Sequence, residues 1–161
     1  MGLYTKLDTL NPIMQRRVKA FLAALEEKGI EVAIVETTRT KEVQAAYFAQ
    51  GRKTLAEVNE MRLNAGLWKI TEAENRNKVT NCDGVKNKSN HQVKADGFGY
   101  AIDIVPIKNG RANWNATQKE WETIGAIGES CGLDWAAGGY GSTWGKGWDN
   151  PHFEYNGELW D

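Results

Sequence analysis

Histidine is scarce in this chain: His91 and His152 are the only two among 161 residues. Cysteine is equally rare. Cys82 and Cys131 lie 49 positions apart with no Cys-x-x-Cys spacing, so inert thiols are the first reading, ahead of a disulfide or zinc ligands. There is no surplus of basic charge: 20 basic and 21 acidic side chains leave a net charge of −1, which argues against a nucleic-acid partner. No apolar run approaches the ~18 residues of a membrane span, and the N-terminus lacks a signal-peptide pattern. The expectation is a protein made in the cytoplasm, without stable membrane association. Repeats and low-complexity linkers are missing too. With 41% hydrophobic and 25% charged residues, the composition excludes a disordered chain and predicts a single domain over 1–161.

What is present begins with helix and strand signals. Asn11-Pro12 reads as an N-cap followed by proline at the first helical position. Ile13, Met14, Val18, Phe21, Leu22 and Leu25 share a helical face, and Gly29 fits the stop. The β-branched run from Ile30 to Val35 predicts a buried strand that delivers Thr37-Thr38-Arg39-Thr40 at its end. A helix over Lys41–Gln50 follows, closed by Gly51. Thr54 with Glu57, Thr71 with Glu74, and Thr117 with Glu120 have capping-box spacing and predict three further helices. The first of these stops at Gly66. The third carries Trp121, Ile124, Ile127 and Cys131 inward and stops at Gly132.

Between the second and third boxes, Asn75 to Asn90 is polar and aperiodic. A loop that long in a compact domain usually has a function. Gly99 to Ile107 predicts a second strand, with Tyr100, Ile102 and Ile104 on one face and Asp103 on the other beside the small Gly99 and Ala101. Asn109-Gly110 predicts a hairpin turn. Ala137 to Gly147 holds five glycines and reads as a loop before a last strand opened by Pro151, on which His152 and Glu154 share a face. Seven tryptophans, five of them from Trp121 onward, suit core positions and a groove for an extended amphipathic ligand. Helices mixed with strands able to pair antiparallel predict an α+β fold, a small mainly antiparallel sheet flanked by helices.

The two histidines fall in two motif-like stretches, Ser89 to Asp103 and Trp148 to Glu154. A catalytic zinc site typically takes three protein ligands and leaves a position open. Two histidines cannot fill three places, so a carboxylate or a thiol must join them, and Asp103 is best placed. Taken singly, each residue is ambiguous. A lone His or Asp on a strand is more often structural, and an isolated Arg39 more often an exposed charge.

Taken together, Ser89-Asn90-His91, Gly99-Tyr100-Ala101-Ile102-Asp103 and Asp149-Asn150-Pro151-His152 resemble the zinc peptidases of the VanY-like D-alanyl-D-alanine carboxypeptidase family. Thr38-Arg39-Thr40, Gln44, the segment 47–52, Val79-Thr80 and Gly132-Leu133-Asp134-Trp135 extend the likeness. Within the family it is greatest to phage endolysins that cut L-alanyl-D-glutamate bonds of peptidoglycan. Eleven residues separate His91 from Asp103, five more than is usual there, so an insertion is expected within Gln92–Phe98, bulging at the rim of the site.

The resemblance implies the D-Ala-D-Ala carboxypeptidase/hedgehog-like fold and Zn²⁺ held by His91, Asp103 and His152. It implies Asp149 as general base and Arg39 as the cation for an oxyanion or a substrate carboxylate. Asp at 149, where D-Ala-D-Ala-cutting members tend to carry Glu, favours the L-alanyl-D-glutamate branch. Ser89 is expected to orient the site rather than attack, since no histidine is left to activate it. Glu154, on the same face as His152, is expected to contact the site from behind its ligands or to lie at the surface, and is the reserve candidate for the base. The implied protein is a phage or prophage lysin whose partner is bacterial peptidoglycan. It would act as a monomer, reaching the wall after release through a holin-type pore. Alternatives are a D-Ala-D-Ala carboxypeptidase or dipeptidase, a non-catalytic module on the same fold, and, more distantly, a His-Asn-His metal nuclease.

Overall fold

The structure is a computed structural model and describes residues 5–138 and 149–155. Most of the glycine-rich stretch 137–147, together with Trp148, lies outside the described residues.

Helix α1 (Pro12–Glu27) begins where the side chain of Asn11 accepts from the backbone of Ile13 and Met14, and it buries Met14, Val18, Phe21 and Leu25. Strand β1 (Val32–Glu36) leads to α2 (Lys41–Ala49), whose N-cap is Thr40. The capping boxes at Thr54, Thr71 and Thr117 all form, opening α3 (Leu55–Asn64), the single turn α4 (Glu72–Asn75) and α5 (Gln118–Ser130). Each closes reciprocally, the threonine oxygen accepting from the third helical amide while the glutamate accepts from the threonine amide. Strand β2 (Ala101–Lys108) turns at Asn109-Gly110, both with positive φ, into β3 (Arg111–Ala112). The last strands are β4 (Asp134–Trp135) and β5 (His152–Glu154). Among the described residues no helix is long and apolar enough to cross a membrane.

The fold is α+β, with an antiparallel sheet ordered β1-β2-β5-β4 and β3 paired to the far end of β2. Helices α1 and α5 cover one face. Phe21, Leu25, Trp121 and Ile124 there meet Ile102, Ile104 and Phe153 from the strands. The alternation that turns Ile102 and Phe153 into this core turns their neighbours Asp103 and His152 to the opposite face, where the two are register partners. The strand expected at 30–35 as buried is β1, shifted by two residues and only partly buried before Glu36. Among the described residues it pairs on one side alone, as the sheet's edge.

Two features of the sheet were not readable from pattern. A bulge breaks the β1–β2 ladder: Ile34 pairs with Ile104 while Glu36 pairs with Asp103, a step of two against a step of one. Strict alternation would send Glu36 to the core face with Ile34. The bulge rotates it to the face of Asp103.

The second feature is on α5, where Gly125 and Gly128 admit aromatic rings against the helix backbone. A Cβ on Gly125 would lie 2.2 Å from the Trp135 ring, and one on Gly128 2.5 Å from Phe153. Alanine at an unobstructed helical glycine stabilises by up to ~1 kcal/mol, whereas overpacking a core costs ~1–3 kcal/mol. Gly125→Ala is therefore expected to lower the melting temperature, since Trp135 is buried and its indole is tied to the Asn150 carbonyl. A raised Tm in a thermal melt would contradict this packing.

Candidate metal centre

The face opposite the core carries a pocket of about 710 Å³, walled on one side by β2 and β5 and on the other by the loop 79–90. Among the described residues, His91, Asp103 and His152 form a cluster able to hold a metal ion, their donor atoms all within 4.8 Å of one another. Asp103 Oδ1 lies 3.2 Å from Nε2 of His91 and 3.3 Å from Nδ1 of His152.

Each imidazole is oriented through its other nitrogen. Nδ1 of His91 donates to the Thr37 carbonyl at 3.0 Å, which leaves the Nε2 lone pair facing Asp103. Nε2 of His152 donates to Glu154 at 2.7 Å, which frees Nδ1 in the same direction. Glu154 is buried and also accepts from the Asn90 side-chain amide. Two nitrogens and one carboxylate oxygen thus converge, the donor set of an imidazole–carboxylate metal site.

The electrostatics fit a cation. Burial opposes charge on His152, yet the Asp103 and Glu154 carboxylates bonded to it outweigh burial and push it up to about 10. Burial likewise opposes charge on Asp103, but the two histidines hold its carboxyl well below the usual carboxylate range. Without a metal, the centre draws a proton into the place a divalent ion would take.

Asp149 sits at the pocket with φ of 54°, a left-handed conformation that Asp tolerates better than most residues. The turn is held by the His152 amide on the Asp149 carbonyl at 3.1 Å and by the Trp135 indole on the Asn150 carbonyl at 2.8 Å. Its carboxylate reaches to 4.0 Å from Nδ1 of His152. Burial raises its pKa, His152 pulls the other way, and Asp103 adds to the rise. A carboxylate tuned upward beside a metal site suits proton transfer.

Arg39 also lines the pocket, with its guanidinium immobilised. Nε donates to Glu36, one terminal nitrogen donates to Gln44 at 3.1 Å, and the Tyr47 ring lies 4.9 Å beneath. Ser89 Oγ accepts from the His91 amide at 3.2 Å and lies 3.5 Å from Arg39. It shapes the backbone that carries His91. The residue missed from sequence is Glu36. It is buried, accepts from Arg39 and from Tyr47 (3.0 Å), and approaches His91 Nδ1 to 3.7 Å. Only the bulge brings it here, and no local sequence signal marks a bulge at that step.

The segment expected to bulge at the rim of the site forms a partly buried turn away from the pocket instead. Gln92 pairs with Arg39 as a parallel bridge, Lys94 is buried, and Asp96 accepts from Asn11 and Tyr100. None of residues 93–98 lines the pocket. The extra residues close a turn, with amide bonds from Lys94 to Phe98 and from Gly97 to Lys94, that ties the start of α1 to the start of β2. Asp96 accepts three hydrogen bonds there, while Ala95 and Gly97 on either side of it stay exposed.

No protein-family model matches the chain, and a search of curated protein sequences finds no match. Solved structures do match. The D,D-pentapeptidase VanY from a VanB-type vancomycin-resistance cassette, a substituted variant in complex with Zn(II), superposes with a TM-score of 0.55 at 15% identity. The match covers 92% of this chain and 73% of that one. VanYB in complex with D-alanine-D-alanine gives 0.52 at 16%, covering 92% and 72%. The LdcB LD-carboxypeptidase, a structure described for its peptidoglycan recognition, gives 0.51 at 15%, covering 92% and 59%. This chain has the VanY-type fold. Within the VanY-type fold the paired strands β2 and β5 bring Asp103 and His152 side by side, and the Arg39–Gln92 bridge delivers His91 to them.

Proposed function

We propose that the chain is a zinc-dependent peptidoglycan endopeptidase that hydrolyses the L-alanyl-D-glutamate bond of the stem peptide. The observation that carries this reading is the convergence of His91, Asp103 and His152 in an open pocket, each imidazole fixed by an acceptor behind it. These three residues would hold the ion. When bound, zinc supplies Lewis acidity: it polarises a carbonyl and makes water a stronger acid.

The chain's own residues do the rest. Asp149 accepts the proton of the attacking water and returns it to the leaving amine. Arg39, held by Glu36 and Gln44, offers a fixed cation to the oxygen that gains charge or to a substrate carboxylate. Ser89 and Glu154 keep the two histidines aimed. In this reading the protein is a phage or prophage lysin that acts on the wall as a monomer after passing a membrane pore.

A second reading, D-Ala-D-Ala carboxypeptidase, is favoured by one observation: a fold neighbour is seen in complex with D-alanine-D-alanine. Asp rather than Glu at position 149 supports the first. Mass spectrometry of muropeptides after digestion of purified peptidoglycan separates them. The endopeptidase is expected to leave free N-terminal D-glutamyl peptides and alanine-terminated muropeptides. Release of terminal D-alanine alone would overturn that specificity and establish the second reading.

A further inference from the structure

The loop that walls the pocket carries a surplus of positive charge. Residues 76–90 carry Arg76, Lys78, Lys86 and Lys88 against the single acid Asp83, in a protein whose net charge is −1. Asp83 is spent on the loop's own backbone. Its Oδ1 accepts from the amides of Val85, Lys86 and Asn87 at 2.8, 2.9 and 3.0 Å, and these bonds hold its carboxyl below its ordinary pKa. The tip that presents Lys86 is therefore a built turn. The rest of the loop is strapped to α2 and the turn after it through its carbonyls: Gln44 donates to Cys82, Arg52 to Thr80, and Gln50 to Asn77.

Lys86 and Lys88 line the same pocket as the three candidate ligands. The acids of that pocket, Asp103, Asp149 and Glu154, all come from β2, β5 and the turn before β5, and two of them are bonded to the histidines. Apart from Arg39, which is bonded to Glu36, the positive side chains lining the pocket stand on the loop wall.

We infer that Lys86 and Lys88 are specificity-determining residues that select substrates bearing a free carboxylate next to the scissile bond over the same peptides with a carboxamide there. This rests on the peptide-hydrolase reading above. In the L-alanyl-γ-D-glutamyl unit the carboxylate is the glutamate α-carboxylate, borne by the Cα attached to the nitrogen of the cleaved amide. Its conversion to an amide keeps the shape and removes the charge that a lysine ammonium recognises.

The test uses two stem peptides, acid and amide, each also made with the scissile CO–NH replaced by CO–CH2 so that binding is read without turnover. Calorimetry on the zinc-loaded protein is expected to show the acid binding about tenfold more tightly, the order of a charge-assisted hydrogen bond partly exposed to water. In the double variant Lys86→Gln, Lys88→Gln the ratio should fall towards one. Val85→Ala, at the same loop tip but 76% exposed and outside the pocket lining, should keep it. Raising the salt concentration should shrink the wild-type ratio. Equal binding of acid and amide by the wild type, or an unchanged ratio in the double variant, would overturn the inference. A binding difference lost in the double variant, with no cleavage of either natural peptide, would instead support the lysine wall and remove the bond assignment.

Discussion

His91→Ala and His152→Ala proteins are expected to lose zinc and hydrolysis together, activity falling by at least about a thousandfold. Several kcal/mol of Lewis-acid stabilisation go with the ion, and each 1.36 kcal/mol is a factor of ten in rate. The two substitutions should differ in their effect on the fold. His91 is fully buried and bonded to the Thr37 carbonyl, so alanine leaves both a cavity and an unpaired carbonyl. His152→Ala leaves Asp103 and Glu154 facing each other without the group between them. Metal content by elemental analysis, read beside a thermal melt, separates ligand loss from unfolding. Zinc affinity should also fall as pH drops, because the ion and a proton compete for Nδ1 of His152. Full activity in a thoroughly metal-depleted sample, or a folded His152→Ala protein that keeps one zinc per chain, would sink the centre.

Asp149→Asn is expected to retain zinc and fold while losing 10²–10⁴-fold in kcat, the usual contribution of a positioned base. Asn tolerates the left-handed backbone that residue 149 adopts and keeps the side chain's shape, so the turn before β5 should survive. What it lacks is basicity at neutral pH. Asp103→Asn should behave otherwise and weaken zinc binding itself, because an anionic donor shared by both histidines is removed. Glu154→Gln keeps an acceptor for the His152 ring and should cost far less than Asp149→Asn. An inactive Glu154→Gln beside a fully active Asp149→Asn would reverse the two roles.

Much of this was legible because it obeys local rules. The three threonine–glutamate pairs close within four residues, and Asn109-Gly110 turns the chain by its own backbone preference. His91, Asp103 and His152 stood out as the chain's two histidines and a carboxylate on a strand face kept open by Gly99 and Ala101. What escaped depends on contacts between distant segments. Glu36 reaches the site only through a slip in pairing with β2, and two-residue β4 is too short to show alternation. The glycines of α5 are explained by rings from Trp135 and Phe153, which no reading of the helix alone supplies. The segment after His91 looked like an insertion free to bulge. Its Asp96 is bonded to Asn11, far away in sequence, as well as to Tyr100.

The position of β5 bears on how the protein folds. It is the last described strand in sequence, yet it lies between β2 and β4, and its pairs with β2 join residues about fifty apart. Phe153 enters the core in the same step that sets His152 beside Asp103. Contacts so far apart carry a large loop-closure cost before they return any stabilisation, which favours slow folding through a late nucleus. During synthesis, helices α1 to α5 can form while the sheet still lacks its middle. The candidate metal centre then assembles only with the final closure of the core, so partly made chains carry neither a finished fold nor the His91–Asp103–His152 cluster.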